Sequence, residues 1–228
     1  PLASLKGYLE TLVIKDDSLS GAERKQYLEI ASKHAEHLAQ LVSELFELAK
    51  LDAREVQPHP EPFSLAELVH DVAQKFQLRA STRGLKIHVD ATPGTPFTDA
   101  DIGMIERVLD NLLDNAIEHT PAGGEIRIAL DGNHDRIRVS VRDTGTGIPL
   151  DDLPFVFDRF YRKSSHNTGN NSGAGLGLAI AQRIVELHGS RISVRRTVNK
   201  GAEFDFSLPV HQQTAASALT PSLQNILQ

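Results

Sequence analysis

The stretch RIRVSVRDTGTGIP, residues 136–149, alternates apolar and charged side chains and then runs into an aspartate and a glycine-rich turn. Such alternation predicts a strand with one buried face. Asp143 therefore ends a strand, and Gly145 and Gly147 allow the backbone after it to approach another group closely. A simple turn capped by the aspartate would have the same pattern, so the neighbouring segments decide between the two interpretations.

The segments around this strand switch between helical and strand periodicity. Apolar spacings of three and four predict helices, and alternation predicts strands. The predicted helices cover residues 64–76, 101–119 and 176–189, and the predicted strands cover 85–90, the hairpin 124–143, 191–198 and 202–210. Helices interspersed with hairpins indicate an α+β fold, an α/β sandwich with helices on one face of a mostly antiparallel sheet.

The first 56 residues have a different pattern, that of a helical hairpin. Leucines at 2, 5, 9 and 12 mark a first helix, and an unbroken three-four seam from Leu28 to Ala49 marks a second. Between them, Ser20 and Glu23 have the spacing of a capping box. Because one hairpin cannot enclose its own core, we expect two copies to pair into a dimeric four-helix bundle. Packing of the hairpin on the rest of the chain is the alternative.

Prolines at positions 58, 60 and 62 separate the two patterns. Proline fixes φ, lacks an N–H donor and disfavours the α conformation in the residue before it, so the second helix must end near Arg54. We therefore predict a helical hairpin over 1–56, a proline-rich linker over 57–62, an α+β domain over 63–210 and a disordered tail over 211–228.

Composition excludes several classes of protein. The 228 residues are 40% apolar, carry a net charge of −6 and include no cysteine. The charge argues against a nucleic-acid-binding protein, and the lack of thiols excludes disulfides, thiolate catalysis and cysteine-ligated zinc. No apolar run reaches the roughly 18–20 residues of a membrane span, and the N-terminus is not a signal sequence. Since the chain begins in mid-pattern, we expect the cytoplasmic portion of a longer protein.

A second glycine cluster, GAGLGLAIA at 173–181, leads directly into a predicted helix. The free N–H groups and positive dipole end of a helix N-terminus favour an anion such as phosphate, and glycines let it come close. The spacing fits neither the P-loop nor the dinucleotide-binding fingerprint. The polar stretch at 164–173 is typical of a mobile lid, although an ordinary surface loop would have the same composition.

Two asparagines complete the candidate site. Asn111 and Asn115 are four residues apart, so both project from one face of a predicted helix. Apolar residues surround them, and a buried amide needs a polar partner. An amide oxygen can occupy one position on Mg²⁺, which shares its oxygen ligands with substrate phosphates and water. The Asp143 carboxylate could accept a hydrogen bond from the amino group of a base. A purely structural role for Asn111 is the alternative.

Taken in order, these motifs resemble the N, G1, F and G2 boxes of bacterial two-component sensor histidine kinases. The matching segments are Asn111-Leu-Leu-Asp-Asn115-Ala, Asp143-Thr-Gly145-Thr-Gly147-Ile148, Phe157-Asp-Arg-Phe160-Tyr161-Arg162 and Gly173-Ala-Gly175-Leu176-Gly177-Leu178. The resemblance runs from residue 1 to about residue 210. It implies a dimerisation and phosphotransfer hairpin followed by a Bergerat-type ATP-binding domain. The implied activity is transfer of the γ-phosphoryl of ATP, with Mg²⁺, to a histidine for relay to an aspartate of a response regulator.

The resemblance also implies a role for each matching residue. Asn115 would hold Mg²⁺, with Asn111 nearby, and Asp143 would recognise the adenine amino group. Further contacts to ATP would come from His119, Gly145, Gly147, Ile148, Phe157, Phe160, Gly173, Gly175, Leu176, Gly177 and Leu178. Tyr161 and Arg162 would reach the triphosphate as catalytic residues.

Two features of the predicted ATP-binding domain depart from the family pattern. Glu118 and His119 stand where many relatives have lysine and tyrosine, and Ala202 stands where threonine is usual. Asn111 stands where ATP-hydrolysing relatives of the fold often place a glutamate, which favours transfer to a protein over hydrolysis. The departures leave open a degenerate module that binds ATP and docks a response regulator, as a phosphatase or scaffold, without kinase activity. An ATPase-type relative that dimerises on ATP is disfavoured by the hairpin and by Asn111.

The reactive histidine of the family lies in an H-E-x-x-T/N-P box, and none of the ten histidines here has that context. We therefore expect the acceptor upstream of Pro1, and we expect this fragment alone to bind nucleotide without autophosphorylating. His34 and His37 are expected to be solvated rather than to bind a metal. The expected partners are a second copy of the chain, through residues 1–56, and the receiver domain of a response regulator. A parent protein would be anchored in the bacterial inner membrane.

Overall fold

A computed structural model describes residues 2–15, 18–91, 94–161, 175–197 and 201–212. Its N-terminal hairpin consists of α1 (Leu2–Ile14) and α2 (Gly21–Asp52). The predicted capping box is present, because the N–H of Glu23 donates to Ser20 Oγ at 3.3 Å and the N–H of Ser20 donates to the Glu23 carboxylate at 2.9 Å. α2 ends at Asp52, close to the point that the prolines predict.

The remaining chain folds into the α+β sandwich that the periodicity predicts. Its elements are β1 (Glu61–Phe63), α3 (Leu65–Thr82), β2 (Lys86–Ala91), β3 (Thr98–Ala100), α4 (Ile102–His119), β4 (Glu125–Gly132), β5 (Arg136–Asp143), a 3₁₀ turn (Leu153–Phe155), α5 (Gly177–Leu187), β6 (Ser193–Arg196) and β7 (Ala202–Pro209). The main sheet has the order β2-β4-β5-β7-β6. Among the described strands of this sheet, β2 and β4 are parallel and the other neighbours are antiparallel.

The core lies between the sheet and the helices. Every second residue of β5 and β7 is buried, and several of the intervening charged residues pair across strands, such as Arg138 with Asp205 at 3.1 Å. The apolar stripe predicted for α4 is buried except at its first residue, Ile102, which remains 40% exposed at the helix N-terminus. α3 begins at the predicted cap, since the N–H of Glu67 donates to Ser64 Oγ at 3.3 Å.

A second sheet, made of β1 and β3, was not predicted from the sequence. Each strand has only three residues, which is too short for a periodic signal. β1 lies partly within the predicted linker, so the end of that linker is paired to the α+β domain. His211, assigned to the tail, donates its N–H to the Phe97 carbonyl at 2.7 Å and places its imidazole 2.8 Å from Asp99. The tail residues 213–228 lie outside the described part of the chain.

The hairpin meets the sandwich through the second half of α2. Leu48 and Leu51 are buried in the common core, and Glu47 forms an ion pair with Arg107 of α4 at 2.8 Å. His34 and His37 are half-buried, and the ring of His34 stacks on that of Tyr8 with centroids 5.8 Å apart. No described helix has the length and apolar character needed to cross a membrane.

Candidate functional site

The asparagines of α4 lie at different depths. Asn111 is buried, with 7% of its surface exposed, whereas Asn115 is half-buried. The Nδ2 group of Asn111 has no hydrogen-bond partner among the described residues. A buried donor left without a partner costs about 1–3 kcal/mol. The site therefore offers a polar group that a ligand oxygen could satisfy.

The N-terminus of α5 lies directly on Asn111. A Cβ atom placed on Gly177, the first residue of α5, would stand 3.1 Å from Asn111 Oδ1, so the glycine permits the close approach. The N-cap residue, Leu176, makes no side-chain cap hydrogen bond, so no side chain of that residue shields the first N–H groups of the helix. The side-chain amide of Asn111 and the positive N-terminal end of α5 are therefore close together, an arrangement that suits a phosphate.

Asp143 lies at the end of β5, where the turn after it packs against the end of α4. Its carboxylate is 4% exposed and accepts hydrogen bonds on Oδ1 from the N–H groups of Gly145 at 2.7 Å and Ala202 at 3.3 Å. Burial raises the pKa of Asp143, and the two N–H groups and nearby His119 partly oppose that rise. The described residues donate hydrogen bonds to Oδ1, so the other oxygen can accept one from a donor on a ligand.

Two glycines allow the backbone to close around Asp143. A Cβ atom on Gly145 would lie 2.4 Å from the carbonyl oxygen of His119, and one on Gly201 would lie 1.9 Å from the carbonyl oxygen of Asp143. Both obstacles are backbone atoms, which cannot swing aside. Gly147, two residues after Gly145, has φ of 68°, in the left-handed region that favours glycine. The turn after β5 is thus fitted against the end of α4 and the start of β7.

Phe157 anchors the described part of the segment that follows the first glycine cluster, residues 150–161. Phe157 meets Phe204 of the core edge-on, with ring centroids 6.2 Å apart. Phe160 is 59% exposed and holds the segment through its backbone instead, donating its N–H to the Gly175 carbonyl at 3.0 Å. A hydrogen bond from the Tyr161 hydroxyl to Asp152 raises the pKa of Tyr161. Arg162 lies outside the described residues, as do Gly173 and the stretch 164–172.

The other predicted contacts differ in what they can offer a ligand. Ile148 and Leu178 are half-buried against the core, and the His119 side chain is exposed at the end of α4. Leu176 is fully buried, so its backbone is the part that can face a ligand. Gly175 has φ of 72° and supports the turn before α5.

The resemblance singled out Ala202 at the start of β7, but sequence reasoning did not predict that this stretch contacts Asp143. Gly201 packs on the backbone of Asp143, and the N–H of Ala202 reaches its carboxylate. Thr144 was also missed, although its Oγ1 accepts the N–H of Glu125 at 2.9 Å and ties the turn to β4. The contact itself could not be predicted, because the pairing of β5 with β7 spans about sixty residues of sequence.

Two family models match the chain. The His Kinase A (phospho-acceptor) domain matches residues 1–54, and the histidine kinase-, DNA gyrase B- and HSP90-like ATPase matches residues 100–212. The sensor histidine kinase WalK of Bacillus subtilis is 31% identical over 224 aligned positions, covering 93% of this chain and 35% of WalK. The chain spans about a third of the length of the curated relatives that it matches.

Solved structures match both parts of the chain together. Full-length ShkA in complex with AMPPNP is 28% identical with a TM-score of 0.72, covering 92% of this chain and 44% of ShkA. The histidine kinase ThkA in complex with the response regulator protein TrrA is 25% identical with a TM-score of 0.75, covering 92% of this chain and 58% of ThkA.

Proposed function

Since this chain belongs to the family of bacterial two-component sensor histidine kinases, whose catalytic core it contains, we propose that it binds Mg²⁺ and ATP and transfers the γ-phosphoryl group to a histidine side chain. From there the group passes to an aspartate of a response regulator. The observation that carries the proposal is the buried Asp143 carboxylate, in the same domain as a helix N-terminus that touches a buried asparagine.

In this proposal Asp143 recognises the base. The exocyclic amino group of adenine donates to the oxygen that the protein does not use, while Gly145 and Gly147 let the ring approach the backbone. Guanine carries a carbonyl oxygen at the corresponding position, which the carboxylate would repel. A site that hydrogen-bonds one group rejects an analogue that lacks it, because the buried partner is left unpaired.

The phosphates are assigned to the N-terminus of α5 and to Asn111. The N–H groups at the start of α5 and the amide of Asn111 would receive phosphate oxygens, and Asn115 would hold Mg²⁺. The ion would neutralise charge on the phosphates when bound. Catalysis by such a site is positioning and electrostatic stabilisation, as expected for phosphoryl transfer. The reach of Tyr161 and Arg162 to the triphosphate stays a prediction.

The hairpin is assigned to dimerisation through residues 1–56. Several large apolar side chains are exposed on its two helices, where a second copy would cover them: Leu2, Leu9, Val13, Ile14, Leu28, Val42, Leu45 and Phe46. The receiver domain of a response regulator is the proposed second partner. On family grounds, we assign this part of the protein to the cytoplasm and its parent to the inner membrane.

A second candidate function rests on Ala202. Its N–H contacts Asp143, but the residue brings no hydroxyl to the site. Together with Glu118, which replaces a cation, this favours a weaker ATP site in a module that docks a response regulator as a phosphatase or scaffold. The two candidates differ in whether a phosphoryl group is transferred.

Labelling with γ-³²P-ATP separates them. A segment that supplies the H-E-x-x-T/N part of the box is joined before Pro1, which completes the box. The joined protein should acquire acid-labile, base-stable label, as expected of phosphohistidine. Residues 1–228 alone should bind ATP and stay unlabelled. The joined protein with its box histidine changed to glutamine is the control. If the joined protein binds ATP and takes up no label, the kinase assignment fails and the docking module is favoured.

The raised pKa of Asp143 predicts opposite pH effects on binding and on stability. The base is recognised by the charged carboxylate, so ATP affinity should fall as the pH drops from neutral through the raised pKa. Because the pKa is higher in the folded than in the unfolded chain, the same protonation should add to the free energy of unfolding. Calorimetric titration and thermal melting across this range test both directions. The Asp143→Asn variant is measured in parallel, so that the contribution of ATP's own protonation can be subtracted. Identical pH profiles for the two proteins would contradict the assignment.

A further inference from the structure

The C-terminal end of α2 carries an acidic residue where a helix favours a basic one. Asp52 is the last residue of the helix, and the partial negative charge of a helix C-terminus disfavours a carboxylate there. Two arginines from the ATP-binding domain offset this. Arg159 pairs with Asp52 Oδ2, and Arg183 places Nε 3.5 Å from Asp52 Oδ1 while donating to the Leu51 carbonyl at 3.3 Å.

These two arginines stand on the elements that form the phosphate side of the proposed site. Arg183 belongs to α5, whose first residue, Gly177, touches Asn111. Arg159 directly precedes Phe160, whose N–H donates to the Gly175 carbonyl at 3.0 Å. Asp52 therefore joins the hairpin to both elements at once, unlike Glu47, whose ion pair is with α4.

Phe160 gives a physical reason why this contact affects the site. Its φ of 61° is in the left-handed region, which a non-glycine residue adopts only when its surroundings hold it there. The ion pair with Asp52 fixes Arg159, the residue before Phe160, and the hydrogen bond to the Gly175 carbonyl fixes the N–H of Phe160 itself. Without Asp52 the turn can relax to more populated conformations, and apparent affinity falls with the fraction of molecules that remain competent to bind.

We propose that Asp52 is a positioning residue for the nucleotide site, acting through Arg159 and Arg183. The inference rests on the proposed function. It makes the attachment of the hairpin and the binding of nucleotide two linked equilibria, each of which favours the other. By thermodynamic reciprocity, nucleotide then tightens the hold of the α+β domain on the end of α2.

The test is titration of residues 1–228 with Mg²⁺ and AMPPNP. Asp52→Asn, Arg159→Gln and Arg183→Gln should each weaken binding about threefold, within the range of a partly exposed ion pair. The Asp52→Asn/Arg159→Gln double variant should bind no more weakly than Asp52→Asn, because Arg159 acts through Asp52. Asp52→Glu should retain most of the affinity. Glu29→Gln, which removes a carboxylate from an exposed position of α2, should change nothing.

Unchanged or tighter binding by Asp52→Asn, or losses that simply add in the double variant, would overturn the inference. Thermal melting without nucleotide identifies any variant that is merely unfolded. If Asp52→Asn is unfolded, the affinity of Asp52→Glu decides, and loss of binding by a folded Asp52→Glu would overturn the inference. Failure of the unaltered chain to bind AMPPNP would instead overturn the proposed function, and this inference with it.

Discussion

Asp143→Asn is expected to weaken ATP binding by about 10- to 150-fold, the equivalent of one hydrogen bond to a charged group at about 1.5–3 kcal/mol. The amide oxygen can still accept the N–H groups of Gly145 and Ala202, which now bond to Oδ1 at 2.7 and 3.3 Å. The amide NH₂ group then takes the place of the second oxygen. It faces the amino group of adenine, so two donors meet.

The same substitution should leave the fold intact. Burial raises the pKa of Asp143, which means that the folded protein holds a charge in a place that disfavours it. Replacing the carboxylate removes that cost at neutral pH, so the melting temperature should stay level or rise. Calorimetry with ATP and GTP, alongside thermal melting, measures both effects. Asp131→Asn, the same change at an exposed position of β4, is the matched control. ATP affinity equal to that of the unaltered chain would refute the role of Asp143.

The parts of the fold that follow local periodicity could be predicted from the sequence. The stripe through Ile105, Leu109 and Leu112 identified α4 because a helix buries one face, and it located Asn111 on that face. Alternation from Ile137 to Val141 identified β5 and put Asp143 at its end. The α+β class and the hairpin followed from the same two periods.

What depended on contacts distant in sequence could not be predicted. β1 and β3 form strands because they pair with each other. Three residues are too few to show a periodic pattern, so neither strand could be recognised alone. The burial of Leu176, the placement of His211 on β3 and the two arginines on Asp52 arise from packing between elements. Charged residues such as Asp52 look the same in sequence whether they face water or a partner, so no periodic signal distinguishes them.

Gly201→Ala is expected to disrupt the site more severely than its size suggests. The added Cβ would stand 1.9 Å from the carbonyl oxygen of Asp143 and 3.1 Å from the Cα of Thr144. Both belong to the backbone of a paired strand and its turn, so relief requires β7 and β5 to separate locally. Overpacking of this kind costs about 1–3 kcal/mol, and more where the obstacle is rigid. A loss of about 3 kcal/mol corresponds to a fall in melting temperature of roughly 6–12 °C for a chain of this size.

The free energy of nucleotide binding should fall by at least as much as the free energy of unfolding. The local separation of the strands takes the N–H of Ala202 away from Asp143 and shifts the carboxylate that recognises the base. Gly103→Ala supplies the control, since its Cβ would meet only Asp101 Oδ1 at 3.6 Å, an ordinary contact near the start of α4. That variant should melt at or slightly above the original temperature, because alanine favours a helix by up to about 1 kcal/mol over glycine. Thermal melting and ATP titration of the two variants give the comparison. If Gly201→Ala matched Gly103→Ala in both, the close contact between Gly201 and Asp143 would not determine the geometry of the site.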